Sequence, residues 1–318
     1  MRIVVLDGFA ADQGELEWDD LRKLGEVVVH PRTAAHEVIA RAAGAAAVFT
    51  NKVMLTREII DALPDLRYVG IVATGTNVVD FDVCRSRGIA VTNAPGYCAD
   101  AVAQFVFAVL LHTLENVGPY VDEVKANRWA EAPDYCYFLH RHVELAEKNL
   151  AILGLGNIGR RVADIGGAFG MNVLATAVPG GSSEGRVPLA TALARADVVS
   201  LHCPLSDQTR GMVDRRFLDA MKPDAILVNT SRGGLVDEGA LLDALARGRL
   251  RAALLDVLGE EPPPRDHPLL DREAPWARRV LVTPHIAWGK VEARRRLIAL
   301  VAENLAAFLR GERKNRVD

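Results

Sequence analysis

The stretch LAILGLGNIGRRVADIGGAFG, residues 150–170, constrains the fold more than any other part of the chain. An apolar run from Leu150 to Leu155 leads into Gly154, Gly156 and Gly159, and then into an alternation that suits an amphipathic helix. This pattern predicts a strand, a tight turn and a helix N-terminus. Each glycine has a separate physical task. Gly154 permits the turn, Gly156 lets the main chain approach a pyrophosphate, and Gly159 lets helix and strand pack closely, while the free N–H groups of the helix start face the anion. Gly154, Gly156, Asn157, Ile158 and Gly159 are therefore the candidate cradle for a dinucleotide. A glycine turn in an α/β domain that binds no dinucleotide is the bland alternative.

The rest of the chain supports the dinucleotide reading. Short apolar or β-branched runs recur in the first hundred residues (RIVVLD, EVVVH, AAAVFT, LRYVGIV, IAVTN), with helical patterns such as TREIIDALP between them. A second series follows Leu150: LAILGL, NVLAT, VVSLH, AILVNT, AALLD and VLVTP. Alternation of this kind predicts parallel sheets, and six strands with a glycine turn after the first predict a complete dinucleotide fold. The expected class is α/β, with two Rossmann-like doubly wound domains. The cofactor domain, 99–287, is inserted in a discontinuous substrate domain, 1–98 and 288–318. One long amphipathic helix, EARRRLIALVAENLAAFLRG, closes the chain with Gly311 as its expected C-cap.

Composition excludes several partners. The formal net charge is −3, with half of the residues apolar and a quarter charged, which leaves no electrostatic footprint for nucleic acid or an anionic membrane. Arg294 to Arg296 are expected to form a solvated helix face. AVAQFVFAVLLHTLENVG, interrupted by Gln104 and His112, reads as a buried core helix and not a membrane span. Cys84, Cys98, Cys136 and Cys203 show no metal-ligand or disulfide spacing, so reduced thiols in a cytoplasmic protein without a metal are expected. The opening RIVVLD reads as a strand and not a secretory signal. Between Pro119 and Glu147, Trp129, Tyr135, Tyr137 and Phe138 stand among polar residues, a composition that marks a partner contact or an ordinary local core.

Polar groups at strand ends carry the chemistry. Arg232 in NTSRGGLVDE follows the fourth strand of the second series. Asp256 ends the fifth, with Glu261 in the loop after it, and His285 in LVTPHIAW follows the sixth. In a doubly wound sheet these positions lie outside the carboxyl ends of the strands, where ligands bind. Reducing a 2-keto acid requires a hydride, a proton and a clamp on the carboxylate. His285 can supply the proton, since imidazole titrates near neutrality, and a neighbouring Glu261 would favour the imidazolium. Arg232 presents a planar, permanently charged fork to a carboxylate, so its loss should raise KM and lower kcat together. In the first domain the small residues Ala73, Thr74, Gly75 and Thr76 would expose N–H groups to a carboxylate. Asn51 and Lys52 end the third strand on the same edge, where Lys52 either adds positive charge to the substrate site or is an ordinary surface lysine.

On the motifs TNKVML, ATGTNVVD, TNAPGYCADAVAQFVFAVLL, APDYCYF, LGLGNIGR, LHCPLSDQTRGMV, NTSRGGLVDEGAL, DVLGEEPP and TPHIAW, the chain resembles the D-2-hydroxyacid dehydrogenase family along its whole length. HIAW, in place of a glycine pair after the histidine, resembles the glycerate dehydrogenase or hydroxypyruvate reductase group. The resemblance implies Arg232, Glu261 and His285 as the catalytic set, with substrate contacts from Lys52, Thr74, Gly75, Arg232 and His285. It further implies a nicotinamide contact from Asp256, backbone contacts to the cofactor around Thr230, Cys203 and Pro204, and a homodimer held by the cofactor domains and the 119–147 segment. The reaction implied is reduction of hydroxypyruvate, glyoxylate or a similar 2-keto acid by NAD(P)H, with D-glycerate oxidation in reverse.

Some positions depart from the family pattern. Asn157 occupies a tolerant place in the turn, Gly289 and Lys290 follow Trp288 where small or hydroxyl residues are usual, and no regulatory domain is expected after Asp318. Most tellingly, the second strand ends in Thr176, Ala177 and Val178, where NAD-preferring members carry an acid for the ribose hydroxyls. Without it a 2′-phosphate meets no like charge, and Ser182, Ser183 and Arg186 are available to receive one, so a lean toward NADP is expected. The alternatives are a formate or phosphite dehydrogenase of the same fold, and a dinucleotide-sensing binding protein resembling the C-terminal-binding corepressors. Glu261 stands against the formate enzyme, and the lack of disordered flanks stands against the binding protein.

Overall fold

Strands buried on both faces read as continuous apolar runs, and parallel sheets covered by helices are built from such strands. The computed structural model describes all residues, 1–318, and divides into two compact units, Met1–Cys98 with Trp288–Asp318, and Ala99–Ala287.

In the first unit β1 (Arg2–Val5), β2 (Glu26–Val29), β3 (Ala47–Thr50), β4 (Tyr68–Ile71) and β5 (Ala90–Thr92) form one parallel sheet in the order β2-β1-β3-β4-β5. Ile3 pairs with Val27 on one side and Ala47 on the other. The chain thus leaves β1 in both directions, and the switch point lies between β1 and β3. One sheet face packs Val4, Val48, Val69 and Val91 against Val38, Ile60 and Val83 of the short helices α2 (Val38–Ala42), α3 (Arg57–Asp61) and α4 (Phe81–Ser86). The closing helix, α11 (Val291–Leu309), covers β4 and β5 together with α1 (Asp19–Arg22) beside it. The Phe308 ring lies 5.2 Å from that of Tyr68. Gly311, at φ 81°, follows the last helical turn as its left-handed terminator.

The expectation that Arg294 to Arg296 form a solvated face is corrected here. The helical period turns Ala293, Arg294, Leu297, Ile298 and Val301 inward, so Arg294 is buried while Arg295 and Arg296 remain exposed. Its guanidinium donates to Glu15 at 2.6 Å and to the Gly289 carbonyl at 3.2 Å. The paired carboxylate is what makes a buried charge tolerable.

The second unit contains β6 (Asn149–Leu153), β7 (Asn172–Thr176), β8 (Val198–Leu201), β9 (Ile226–Asn229), β10 (Ala252–Leu255) and β11 (Val280–Val282) in one parallel sheet, ordered β11-β10-β9-β8-β6-β7. All six expected strands form. A single parallel bridge, Thr176 to Val187, stands beyond β7, where a doubly wound dinucleotide fold places its third strand. The switch point lies between β6 and β8.

The helices α5 (Ala99–Glu115), α7 (Asn157–Ala168), α8 (Leu189–Arg195), α9 (Arg215–Ala220) and α10 (Glu238–Ala246) flank this sheet. Most of α5 is buried, and it packs on α7, with the Phe107 and Phe169 rings stacked at 5.4 Å. The helix α6 (Val117–Lys125) opens the aromatic segment, in which Tyr135 is 89% and Phe138 75% exposed. No single helix is long and apolar enough to cross a membrane.

Candidate active site

Gly154 follows β6 at φ 100°, and a Cβ there would stand 2.6 Å from the carbonyl group of His202. A Cβ on Gly159 would stand 2.0 Å from the Gly154 carbonyl oxygen. Strand, turn and helix can therefore meet only with glycine at both positions. Gly156 precedes α7 and faces open space, with nothing within 4 Å of where its Cβ would be. The N–H groups of Asn157, Ile158 and Gly159 have no main-chain acceptor; the first helical bond here runs from Arg160 to Gly156. An open approach to three unpaired donors is what a dinucleotide pyrophosphate requires.

The neighbouring strand ends complete the surroundings. Cys203 is buried, and burial pushes its thiol up to about 11, while Pro204 is exposed. Thr230, just beyond β9, buries a hydroxyl that has no hydrogen-bond partner within the chain. At the end of β7, Ala177 is bound through its N–H to the Val187 carbonyl and brings no carboxylate to this edge. The loop after it carries Ser182, Ser183 and Glu184, all exposed, and a half-buried Arg186. Glycine turn, unpaired donors and orphan hydroxyl together fit a bound dinucleotide.

Arg232 is half-buried and held from beneath by Asn229, which sequence reasoning did not single out. The buried Asn229 amide donates to the Arg232 carbonyl at 2.9 Å and accepts the Ser231 N–H at 3.0 Å. The Arg232 Nη1 donates to the Ser231 carbonyl at 2.7 Å. Gly233, the next residue, presses on the loop after β10, where a Cβ would fall 1.9 Å from the Leu258 carbonyl.

That loop carries Glu261, whose Oε1 accepts the Leu258 N–H at 3.1 Å. Its other oxygen, Oε2, lies 2.7 Å from His285 Nδ1. A carboxylate only accepts, so Nδ1 carries the proton and Nε2 is left for a ligand. Both side chains are partly exposed, His285 at 23% and Glu261 at 32%. His285 has φ 54°, and the turn around it hangs on Asp256. The buried Asp256 carboxylate accepts from Thr283 Oγ1 at 2.6 Å, Ile286 N–H at 2.9 Å and Ala287 N–H at 2.8 Å. Burial pushes its carboxyl above the usual range, and these bonds and the nearby His285 pull it back.

In the first unit Lys52 is exposed just past β3, and Thr74 and Gly75 follow β4. The N–H groups of Thr74, Gly75 and Thr76 have no main-chain acceptor, and Thr74 Oγ1 donates to the Ala94 carbonyl at 2.8 Å. Asp7 went unnoticed as more than the end of a strand. Its carboxylate accepts the N–H groups of Asn51 at 2.7 Å, Lys52 at 2.5 Å and Val53 at 3.0 Å, fixing the loop at the switch point.

With this geometry in place, comparison with known proteins gives the family. Residues 107–287 match the NAD-binding domain of the D-isomer-specific 2-hydroxyacid dehydrogenases. The chain belongs to that family. The dehydrogenase is 40% identical to a hydroxypyruvate reductase of Blautia hydrogenotrophica over the whole of both chains. It is 37% identical to a glycerate dehydrogenase of Methylorubrum extorquens, covering 89% of this chain and 88% of the relative. Among solved structures, an NADPH-dependent glyoxylate/hydroxypyruvate reductase of Sinorhizobium meliloti, in complex with NADP and malonate, superposes with a TM-score of 0.80 at 28% identity, covering 99% and 96% of the two chains. The dehydrogenase is accordingly an NAD(P)-dependent oxidoreductase of the CH–OH group of D-2-hydroxy acids, with an NAD-binding domain of the family type.

Proposed function

We propose that this dehydrogenase reduces hydroxypyruvate, glyoxylate or a closely similar 2-keto acid to the D-2-hydroxy acid, and oxidises D-glycerate in reverse. The observation that carries the reading is the 2.7 Å pair between His285 Nδ1 and Glu261 Oε2. It ties Nδ1 to a carboxylate and leaves Nε2 for a carbonyl oxygen, as a proton donor requires. Arg232 grips the substrate carboxylate, and Lys52, Thr74 and Gly75 supply further substrate contacts. The reduced nicotinamide, when bound, supplies the hydride. Gly154, Gly156, Asn157, Ile158 and Gly159 hold its pyrophosphate, with main-chain support from Cys203, Pro204 and Thr230. Asp256 adds a nicotinamide contact to its hold on the His285 turn.

NADPH is accepted and favoured on this reading. Ala177 leaves the end of β7 without a carboxylate, and Ser182, Ser183 and Arg186 offer donors to a 2′-phosphate. Named relatives and the NADPH-dependent neighbour support the substrate class and the cofactor lean. The reading includes a cytoplasmic homodimer that engages neither nucleic acid nor membrane. Free thiols and the exposed aromatics of the 119–147 segment support it.

The test is a substrate panel read by nicotinamide absorbance, with both cofactors and with His285→Ala. Turnover of hydroxypyruvate or glyoxylate is expected, with kcat/KM higher for NADPH. His285→Ala should lose about 10²–10⁴-fold in kcat while dinucleotide binding, followed by fluorescence, stays intact. Activity retained without the imidazole would remove His285 from proton transfer. Turnover of formate or phosphite alone would replace the substrate reading, and a strong NADH preference would discard the cofactor lean.

A further inference from the structure

The loop between β10 and Glu261 is clamped by a side chain outside the catalytic set. Glu238, in the first turn of α10, accepts the Gly259 N–H on Oε1 at 2.8 Å. Its Oε2 lies 3.1 Å from Nε2 of His267, a residue only 8% exposed. The His267 Nδ1 accepts the Leu269 N–H at 3.3 Å. An imidazole nitrogen that accepts a backbone N–H bears no proton, so Nε2 bears it and donates to Glu238. The Glu238 carboxylate is thus held from behind by His267 and holds Gly259 in front.

Residue 259 is also where the loop can least afford to move. The Leu258 carbonyl rests on Gly233, immediately after Arg232, and the Leu258 N–H is the donor that fixes Glu261 Oε1. A carboxylate on Gly259 therefore sets the height of the loop that carries Glu261. Glu261 Oε2 in turn meets His285 Nδ1 at 2.7 Å.

We propose that Glu238, oriented by His267, is a positioning residue for the Glu261–His285 pair. The inference rests on the reading of that pair as the proton-transfer unit. Groups that orient a catalytic residue act on the chemical step more than on binding, because small misplacements are costly there.

Three variants test it in the full chain. Glu238→Ala removes both bonds. Glu238→Asp keeps an acid in the first helical turn, but is too short to reach Gly259. Glu238→Gln keeps an oxygen for the Gly259 N–H but turns its amide N–H₂ toward the His267 Nε2–H, so one of the two bonds is lost. Glu238→Ala and Glu238→Asp should lower kcat by roughly 10–100-fold, with KM and dinucleotide affinity close to the parent, and Glu238→Gln, which retains the Gly259 bond alone, should lie between these variants and the parent. The imidazole ¹⁵N signal of His285, identified by its absence in His285→Ala, should move in the first two variants and move less in the third. A parent-like kcat and ¹⁵N signal in Glu238→Ala or Glu238→Asp would overturn the proposal, as would a fall in kcat matched by lost dinucleotide binding with the His285 signal unmoved. A parent protein inactive on every 2-keto acid would remove the functional reading alone, and the ¹⁵N comparison would still decide whether Glu238 positions the pair.

Discussion

His285 adopts φ 54°, a region that a non-glycine residue enters at a cost of about 1–3 kcal/mol, and the three hydrogen bonds to Asp256 hold it there. The side chains that hold the loops of the site are of this kind, acceptors for main-chain donors. They are also what the sequence hides. Arg232, Glu261 and His285 are legible because a base, an acid and a cation recur at strand ends, where ligands bind. Asp7, Asn229 and Glu238 are not, because all or part of their bonding is to N–H and carbonyl groups that every residue carries. His202 is another such case. Its Nε2 lies 2.8 Å from Ser200 Oγ, its buried Nδ1 has no partner, and burial pushes the imidazole down to about 4. Between its unfolded value near 6.5 and about 4, the unfolded chain binds a proton that the native state refuses, so stability is full above this window and is lost as pH falls through it. The parent should lose roughly 2–3 kcal/mol to this group by pH 4.5. Urea unfolding at pH 7 and pH 4.5 checks it, since the drop should shrink by that amount in His202→Gln.

At the scale of elements, the eleven strands were legible because parallel strands covered on both sides are unbroken apolar runs. The bridge at Val187 was not, because GGSSEGRVP contains no such run and one residue of pairing leaves no periodicity. Arg294 was misjudged for the opposite reason. Three consecutive arginines look uniform in a sequence, while a helix turns one of them inward. The contact between the loops after β9 and β10 is equally invisible, yet it predicts a sharp outcome. A Cβ at Gly233 meets the Leu258 main chain at 1.9 Å, which no side-chain rotation relieves. Gly233→Ala should therefore destabilise by about 1–3 kcal/mol and lower kcat as the Glu261 loop shifts. Thermal melting and steady-state rates check both, and a parent-like Tm with unchanged kcat would show that the loops part without penalty.

For the whole molecule, the insertion of one unit into the other decides which residues travel together along the chain. Arg232, Glu261, His285, Asp256 and the glycine turn all fall within Ala99–Ala287, whereas Lys52, Thr74 and Gly75 belong to the unit made from both chain ends. Within that other unit, the Asp7 carboxylate, just past β1, accepts the main-chain N–H groups of residues 51–53, and these three bonds do not depend on which side chains the tied residues bear. The Asp7 bond to the residue 52 N–H thus survives a change of side chain there, whereas Val53 packs against the core of this unit. Exchanging Lys52 for the residue found in a relative with another preferred keto acid should reorder KM values across a substrate series and leave the primary deuterium isotope effect of hydride transfer as it was. KM values reordered at an unchanged isotope effect would mean that a lineage can revise selectivity in this enzyme without disturbing its bond-making apparatus.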